Sequence, residues 1–450
     1  MKRNPAVQCR RNGEKMVMES KSSQHNKRKG KPVPVREGNN QTGKNLRNRH
    51  RKGIKTEEKP QDNMQQESQK SLCQVLGKCG GCQLLDVPYE KQLKDKHRKA
   101  EELLKGFCKV YPIEGMEHPF HYRNKVHAVF GYRKGQAISG VYREKTHEIV
   151  PVDKCMIEDE KADEIIGTIR GMLKSFKIRT YDEDTGVGFL RHVLVRRGFA
   201  TGEIMVILVT ASPIFPSRNN FINALRQHHP EITTIIQNLN DRDTNMVLGD
   251  REKVLYGKGY IEDVLCGYTF CISGKSFYQV NPVQTEKLYK RAVWAAGLTG
   301  KETVIDAYCG IGTIGIAASR EAGKVIGVEL NRDAVRDAVR NARRNKIDNI
   351  QFYNNDAGKF MTDMAAEGET ADVVFMDPPR SGSTEEFIDA IALMGPRRVV
   401  YVSCNQETLA RDLSVFAKKG YRALGAWPFD MFPHTARHVE FVVALDRGRR

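Results

Sequence analysis

From Ser276 onward the chain repeats one pattern: a short apolar, β-branched run, then a stretch with helical spacing. The runs are Thr303-Val304-Ile305, Lys324-Val325-Ile326-Gly327-Val328, Ile350-Gln351-Phe352-Tyr353, Val373-Val374-Phe375-Met376 and Arg398-Val399-Val400-Tyr401-Val402. Strands alternating with helices build a parallel sheet whose ligand crevice lies at the carboxyl ends of the strands. Those ends carry Asp306, Glu329, Asp377 and, after the last run, Ser403-Cys404-Asn405. The interval from Asp306 to Glu329 fits one βαβ crossover. In Cys309-Gly310-Ile311-Gly312-Thr313 the glycines allow close approach of a ligand to the backbone. Glu329 is placed to accept hydrogen bonds from ribose hydroxyls, and Asp356 reads as an adenine-side carboxylate. Each acid alone reads equally well as a turn or cap; their recurrence at strand ends favours a cofactor site.

A thiol at such a strand end reads as a nucleophile; the bland alternative for Cys404 is a buried, inert thiol. The loop after Asp306 lacks a full Gly-x-Gly-x-x-Gly, which argues against a nicotinamide. Asp377-Pro378-Pro379 resembles the turn of methyltransferases that act on planar nitrogen heterocycles, with Arg380 where adenine-N6 enzymes place an aromatic residue. Taken with Asp306-Ala307-Tyr308-Cys309-Gly310-Ile311-Gly312, Gly327-Val328-Glu329, Ser276-Phe277-Tyr278-Gln279-Val280-Asn281-Pro282 and His438-Val439-Glu440, these motifs resemble the RNA 5-methyluridine methyltransferase family. The resemblance covers roughly residues 73 to 446 and points to the bacterial 23S rRNA branch with an iron–sulfur cluster. It implies a class I, Rossmann-like domain dependent on S-adenosylmethionine. It carries over Gln279, Tyr308, Glu329, Asp356 and Asp377 as cofactor contacts, Cys404 as nucleophile and Glu440 as base. The family commonly has a proline after Ser-Cys-Asn; Gln406 stands there instead.

The chemistry accounts for these residue types. Uracil C5 is a poor nucleophile until a thiolate adds at C6 and places electron density on C5. A base must then remove the C5 proton so that the thiolate can leave. A helix starting near Gln406 is expected to lower the Cys404 pKa.

Cys73-x5-Cys79-Gly80-Gly81-Cys82 sets three thiols in one short loop, with the spacing of a metal site. Spacing alone leaves zinc and an iron–sulfur cluster open; the family resemblance implies [4Fe-4S], with Cys155 as the fourth ligand. A structural role is favoured, since methyl transfer needs no electron.

Of the formal net charge of +18, residues 1 to 70 hold 12, from 19 Lys and Arg against 7 Asp and Glu. That segment has no aromatic residue and reads as a disordered basic tail without a β-barrel RNA-binding domain. Residues 71 to 270 read as a helix over 89–106 followed by a mostly β RNA-binding region carrying the cysteine loop. Residues 271 to 450 read as the methyltransferase domain. Two stretches, His121 to Lys125 and Tyr142 to Lys145, interleave rings with cations and suit unpaired bases, and ordinary β-surface composition explains either one equally well. No apolar run is long enough to span a membrane. The partner expected is RNA, ribosomal before transfer, with no membrane, for a cytoplasmic monomer. A 5-methylcytosine enzyme would carry a cysteine where Arg380 stands. A radical enzyme would show Cys-x3-Cys-x2-Cys. A non-enzymatic RNA-binding or assembly factor would need neither Cys404 nor Glu440.

Overall fold

The computed structural model describes residues 73–244 and 246–448. The basic tail expected over residues 1–70 lies outside the described residues. Helix α1 (Tyr89–Leu104) forms where a helix is predicted, burying Gln92, Lys96, Ala100 and Leu104 at four-residue intervals along one stripe.

A first sheet follows: β1 (Lys125–Arg133), β2 (Gln136–Tyr142), β3 (Ile149–Pro151), α2 (Glu160–Met172), β4 (Leu190–Arg197), β5 (Ile204–Thr210), α3 (Arg218–His228), β6 (Ile232–Leu239) and β7 (Arg251–Tyr256). Its order is β3-β2-β1-β4-β5-β6-β7. Only β5 and β6 run parallel, through the crossover helix α3. The mostly β reading holds for the strands but missed the two helices. Ile165 and Ile169 of α2 and Phe221 and Leu225 of α3 pack with Val193, Val206 and Leu208 of the strands. Asp159 caps α2, accepting from the Ala162 N–H at 3.1 Å.

The hairpin β8 (Tyr260–Leu265) and β9 (Tyr268–Ser273) leads into α4 (Pro282–Ala296). Then come β10 (Thr303–Ala307), α5 (Thr313–Ala318), β11 (Lys324–Glu329), α6 (Arg332–Arg344), β12 (Ile350–Asn354), α7 (Ala357–Ala366), β13 (Val373–Met376), α8 (Glu385–Met394), β14 (Arg398–Ser403), α9 (Gln406–Lys418), β15 (Tyr421–Phe429) and β16 (Glu440–Arg447). This second sheet is ordered β12-β11-β10-β13-β14-β16-β15. Its first five strands are parallel, and β16 enters antiparallel between β14 and β15. The strand order reverses direction between β10 and β13, which is where an open α/β sheet binds its ligand.

Apolar cores cover both faces of this sheet. One of them is shared: Leu194 and Ile207 of the first sheet and Ile261 and Phe270 of the hairpin pack in the same cluster as Val304, Val373 and Val442. The segment before β1 also belongs with the second sheet. The Tyr111 N–H donates to the Ala426 carbonyl at 2.8 Å, and Lys96 of α1 forms a buried ion pair with Asp430 at 2.7 Å. No helix among the described residues is long and apolar enough to cross a membrane.

Candidate active site

After β10 the chain turns through Tyr308 (φ 65°), Gly310 (φ 56°) and Gly312 (φ 84°) into α5. At Gly312 a side chain would meet the Phe352 ring at 2.9 Å, so both the left-handed backbone and the space demand glycine. Asp306 is buried below this turn, one carboxylate oxygen accepting from the Gly315 N–H at 2.7 Å. Its other oxygen has no hydrogen-bond partner. Burial, with Asp377 and Glu329 nearby, raises its pKa to about 7. A cleft of about 390 Å³ opens beside the turn, lined by Gln279, Tyr289, Tyr308, Gly310 and Asp377 among others.

Three of the five residues carried over as cofactor contacts therefore meet in one cleft. Glu329 stands at the end of β11, its carboxylate accepting from the Gly310 N–H at 3.1 Å and the Asn331 N–H at 2.7 Å. It thus touches the glycine turn without lining the cleft. Asp356, exposed at the end of β12, caps α7 through the Lys359 N–H at 2.9 Å. The cap that sequence alone offered as the plain alternative is what its side chain does here.

The second group sits next door, where β13 and β14 end and β16 begins. Ser403 pairs with Phe441 across the ladder, so Cys404 and Glu440 flank the same register position on adjoining strands. Asp377 follows β13 directly. Burial, with Asp377 nearby, pushes the Glu440 carboxyl up to about 8, against the pull of Arg380. Burial also pushes the Cys404 thiol up to about 11, helped by Glu440 and Asp377 and opposed by Arg380. This corrects the expected lowering. Asn405 does cap α9, accepting from the Glu407 N–H at 3.0 Å, but desolvation and two carboxylates outweigh the helix terminus.

Two roles escaped the sequence reading. Arg380 is the cation acting on both Cys404 and Glu440, and its carbonyl accepts from the Asn405 side-chain amide at 3.2 Å. Its place after Asp-Pro-Pro was the available signal. Tyr289, buried on α4, lines the cofactor cleft and its hydroxyl accepts from Thr313 Oγ1 at 3.3 Å; no local motif marks it.

The cysteines lie elsewhere, with Cys82 and Cys155 packed on Met116, Tyr122 and Ile157. The Cys82 thiol rises to about 11 through burial and the neighbouring Cys79 and Cys73. Among the described residues no group of three or more His, Cys, Asp or Glu is closed up enough to hold a metal ion. Tyr122, expected to offer a stacking face, is buried and donates to the Pro433 carbonyl at 3.1 Å.

A profile of the family described as tRNA (Uracil-5-)-methyltransferase matches residues 88–448. The chain belongs to this RNA uracil-5-methyltransferase family. An RNA methyltransferase of uncharacterized role from Halalkalibacterium halodurans is 45% identical over 379 residues, covering 83% of this chain and 82% of the relative. Another from Clostridium acetobutylicum is 43% identical over 389 residues, covering 85% and 84%. In structure the chain is similar to the tRNA (uracil-54, C5)-methyltransferase of Pyrococcus abyssi in complex with S-adenosyl-L-homocysteine. That likeness has a TM-score of 0.68 and 28% identity, covering 81% of this chain and 85% of the other. The methyltransferase is thus an RNA-modifying enzyme dependent on S-adenosylmethionine, and the cleft between the glycine turn and Asp377 suits that cofactor. The cleft is lined by polar side chains of Gln279, Tyr308 and Asp377 beside the backbone of Gly310, where a side chain would meet nothing, so a polar ligand can come close to the turn.

Proposed function

We propose that this enzyme methylates C5 of one uridine in 23S rRNA, with Cys404 as nucleophile and Glu440 as base. The observation that carries the roles is the β14–β16 register, which sets the thiol and the carboxylate at one strand edge beside Asp377 of the cofactor cleft. Cys404 Sγ bonds to uracil C6, and the electron pair displaced toward C5 makes that carbon nucleophilic. S-adenosylmethionine, held by Gln279, Tyr308 and Asp377 with Glu329 and Asp356 toward its ribose and adenine, supplies the electrophilic methyl group. Glu440 then takes the C5 proton, the C5–C6 double bond re-forms and the Sγ–C6 bond breaks, returning the thiolate. A carboxyl raised to about 8 is a stronger base than an ordinary glutamate, which suits removal of a proton from carbon.

Cys73, Cys79, Cys82 and Cys155 hold a [4Fe-4S] cluster in this reading, as a staple rather than a reagent. The all-thiol donor set and the shared packing of Cys82 and Cys155 favour it, and the four thiols, which do not close on one centre in this structure, would be drawn together by the cluster itself. The cysteine set favours ribosomal RNA. The Pyrococcus abyssi enzyme acts on tRNA, and its likeness favours transfer RNA as the second reading. The enzyme works in the cytoplasm as a monomer.

Cys404→Ala should bind cofactor yet form no covalent RNA adduct and transfer no methyl group. Glu440→Gln should accumulate a covalent, methylated RNA–protein species that survives denaturing electrophoresis. Methyl transfer by Cys404→Ala would overturn the assignment. Mapping 5-methyluridine in 23S rRNA and tRNA from cells lacking the gene decides the substrate, and iron and sulfide analysis of anaerobically purified protein decides the cluster.

A further inference from the structure

The chain contains two tryptophans, and the fold brings them together on its surface. Trp294 of α4 and Trp427 of β15 meet edge to face with ring centres 5.5 Å apart. Tyr111 lies flat on Trp427 at 4.9 Å. This stack is built into the backbone: β15 has a bulge at Ala423–Gly425, and a side chain at Gly425 would strike the Tyr111 ring at 2.7 Å. Trp294 is 62% exposed and stands between two grooves of about 700 and 580 Å³, both of which it lines. The larger groove also contains Tyr289, which lines the cofactor cleft on its other side.

The charges around the rings are committed in an uneven way. Glu114 and Glu286 are paired with Lys287 and Lys290. Arg291 instead lies over both tryptophans, Lys109 over Tyr111 and Arg320 over Tyr268, each cation 4.8–5.6 Å from its ring centres. Cations resting on rings keep their charge available to a phosphate, whereas a protein-docking patch of this kind would present an apolar centre with its charges at the rim.

We propose that this surface is a stacking platform for an unpaired RNA segment outside the methylated nucleotide. A base lies on the open face of Trp294, with its flanking phosphates at Arg291 and Arg320. The proposal rests on RNA being the substrate and adds a second grip, on the flank of the cofactor domain and separate from the reacting uracil.

Because both tryptophans sit here, the intrinsic tryptophan fluorescence of the full chain reports this surface alone. Titration with an unstructured oligouridylate of about twelve nucleotides should quench it. Binding of the same oligonucleotide carrying a fluorescein label, read by anisotropy, should weaken about tenfold in Trp294→Ala and be kept in Trp294→Tyr, and Arg291→Ala should reduce the salt dependence of binding by about one phosphate. With RNA from cells lacking the gene, Trp294→Ala should raise KM about tenfold and leave kcat unchanged. Absence of quenching by the oligonucleotide, or an unchanged KM, overturns the proposal; quenching by a ribosomal protein alone does so in favour of protein docking. If wild-type protein transfers no methyl group to any RNA, the proposed function fails, and the quenching experiment still decides the platform.

Discussion

Glu440 opposes ionisation of Cys404, so removing its charge should make the thiol more reactive even as it disables turnover. With the thiol raised to about 11, only about one Cys404 in a thousand is ionised three pH units below that value. A neighbouring negative charge accounts for part of this, so removing it enlarges the thiolate population. The sign depends on pH. Below about 8 the Glu440 carboxyl is already neutral, so wild type and Glu440→Gln should be alkylated by iodoacetamide at similar rates. Above that pH the wild-type carboxylate is charged, and the glutamine variant should react roughly tenfold faster. Arg380 pulls the other way, and Arg380→Ala should slow alkylation throughout. Mass spectrometry of the peptide containing Cys404, over a pH series with cofactor-free protein, gives the rates. Equal rates for wild type and Glu440→Gln at every pH, or a slower variant, would refute the electrostatic pairing of the two residues.

The glycine turn and the ion pair behind the site give two further tests. Gly312→Ala places a methyl group against Phe352 at a φ of 84°, and should weaken S-adenosylmethionine binding, measured by calorimetry, by about tenfold while the overall fold persists. Lys96→Met leaves Asp430 charged and buried, and should lower the unfolding free energy in urea by about 3–5 kcal/mol; adding Asp430→Asn should recover part of that loss.

The parallel strands were readable because each is a self-contained β-branched run buried on both faces, so β10, β11, β13 and β14 needed no tertiary information. α2 was not read, although Ala162, Ile165, Ile166 and Ile169 carry a helical period, because the surrounding strands set the texture of that region. The direction of the Cys404 pKa shift was out of reach. The helix terminus that lowers it is local, whereas Glu440 and Asp377 arrive from other strands, and burial is a property of the finished site. Asp356 shows a different limit: its residue type suits both a cap and a ligand contact, and the Lys359 hydrogen bond that makes it a cap is visible only in the fold. The bond from the Asn405 amide to the Arg380 carbonyl ties two motifs that sequence presented as separate.

The antiparallel entry of β16 has a consequence for biosynthesis. It is translated after both strands it separates, so while the chain emerges, β14 has its Val399–Val402 run formed but one hydrogen-bonding edge without its neighbour. An apolar strand with an open edge is a template for pairing with another nascent chain. The strand that closes this vulnerable edge is the one that delivers Glu440, so relief from aggregation and arrival of the base come in the same event. A polypeptide stalled before that strand would hold its thiol in a half-built pocket and depend on a chaperone to stay soluble.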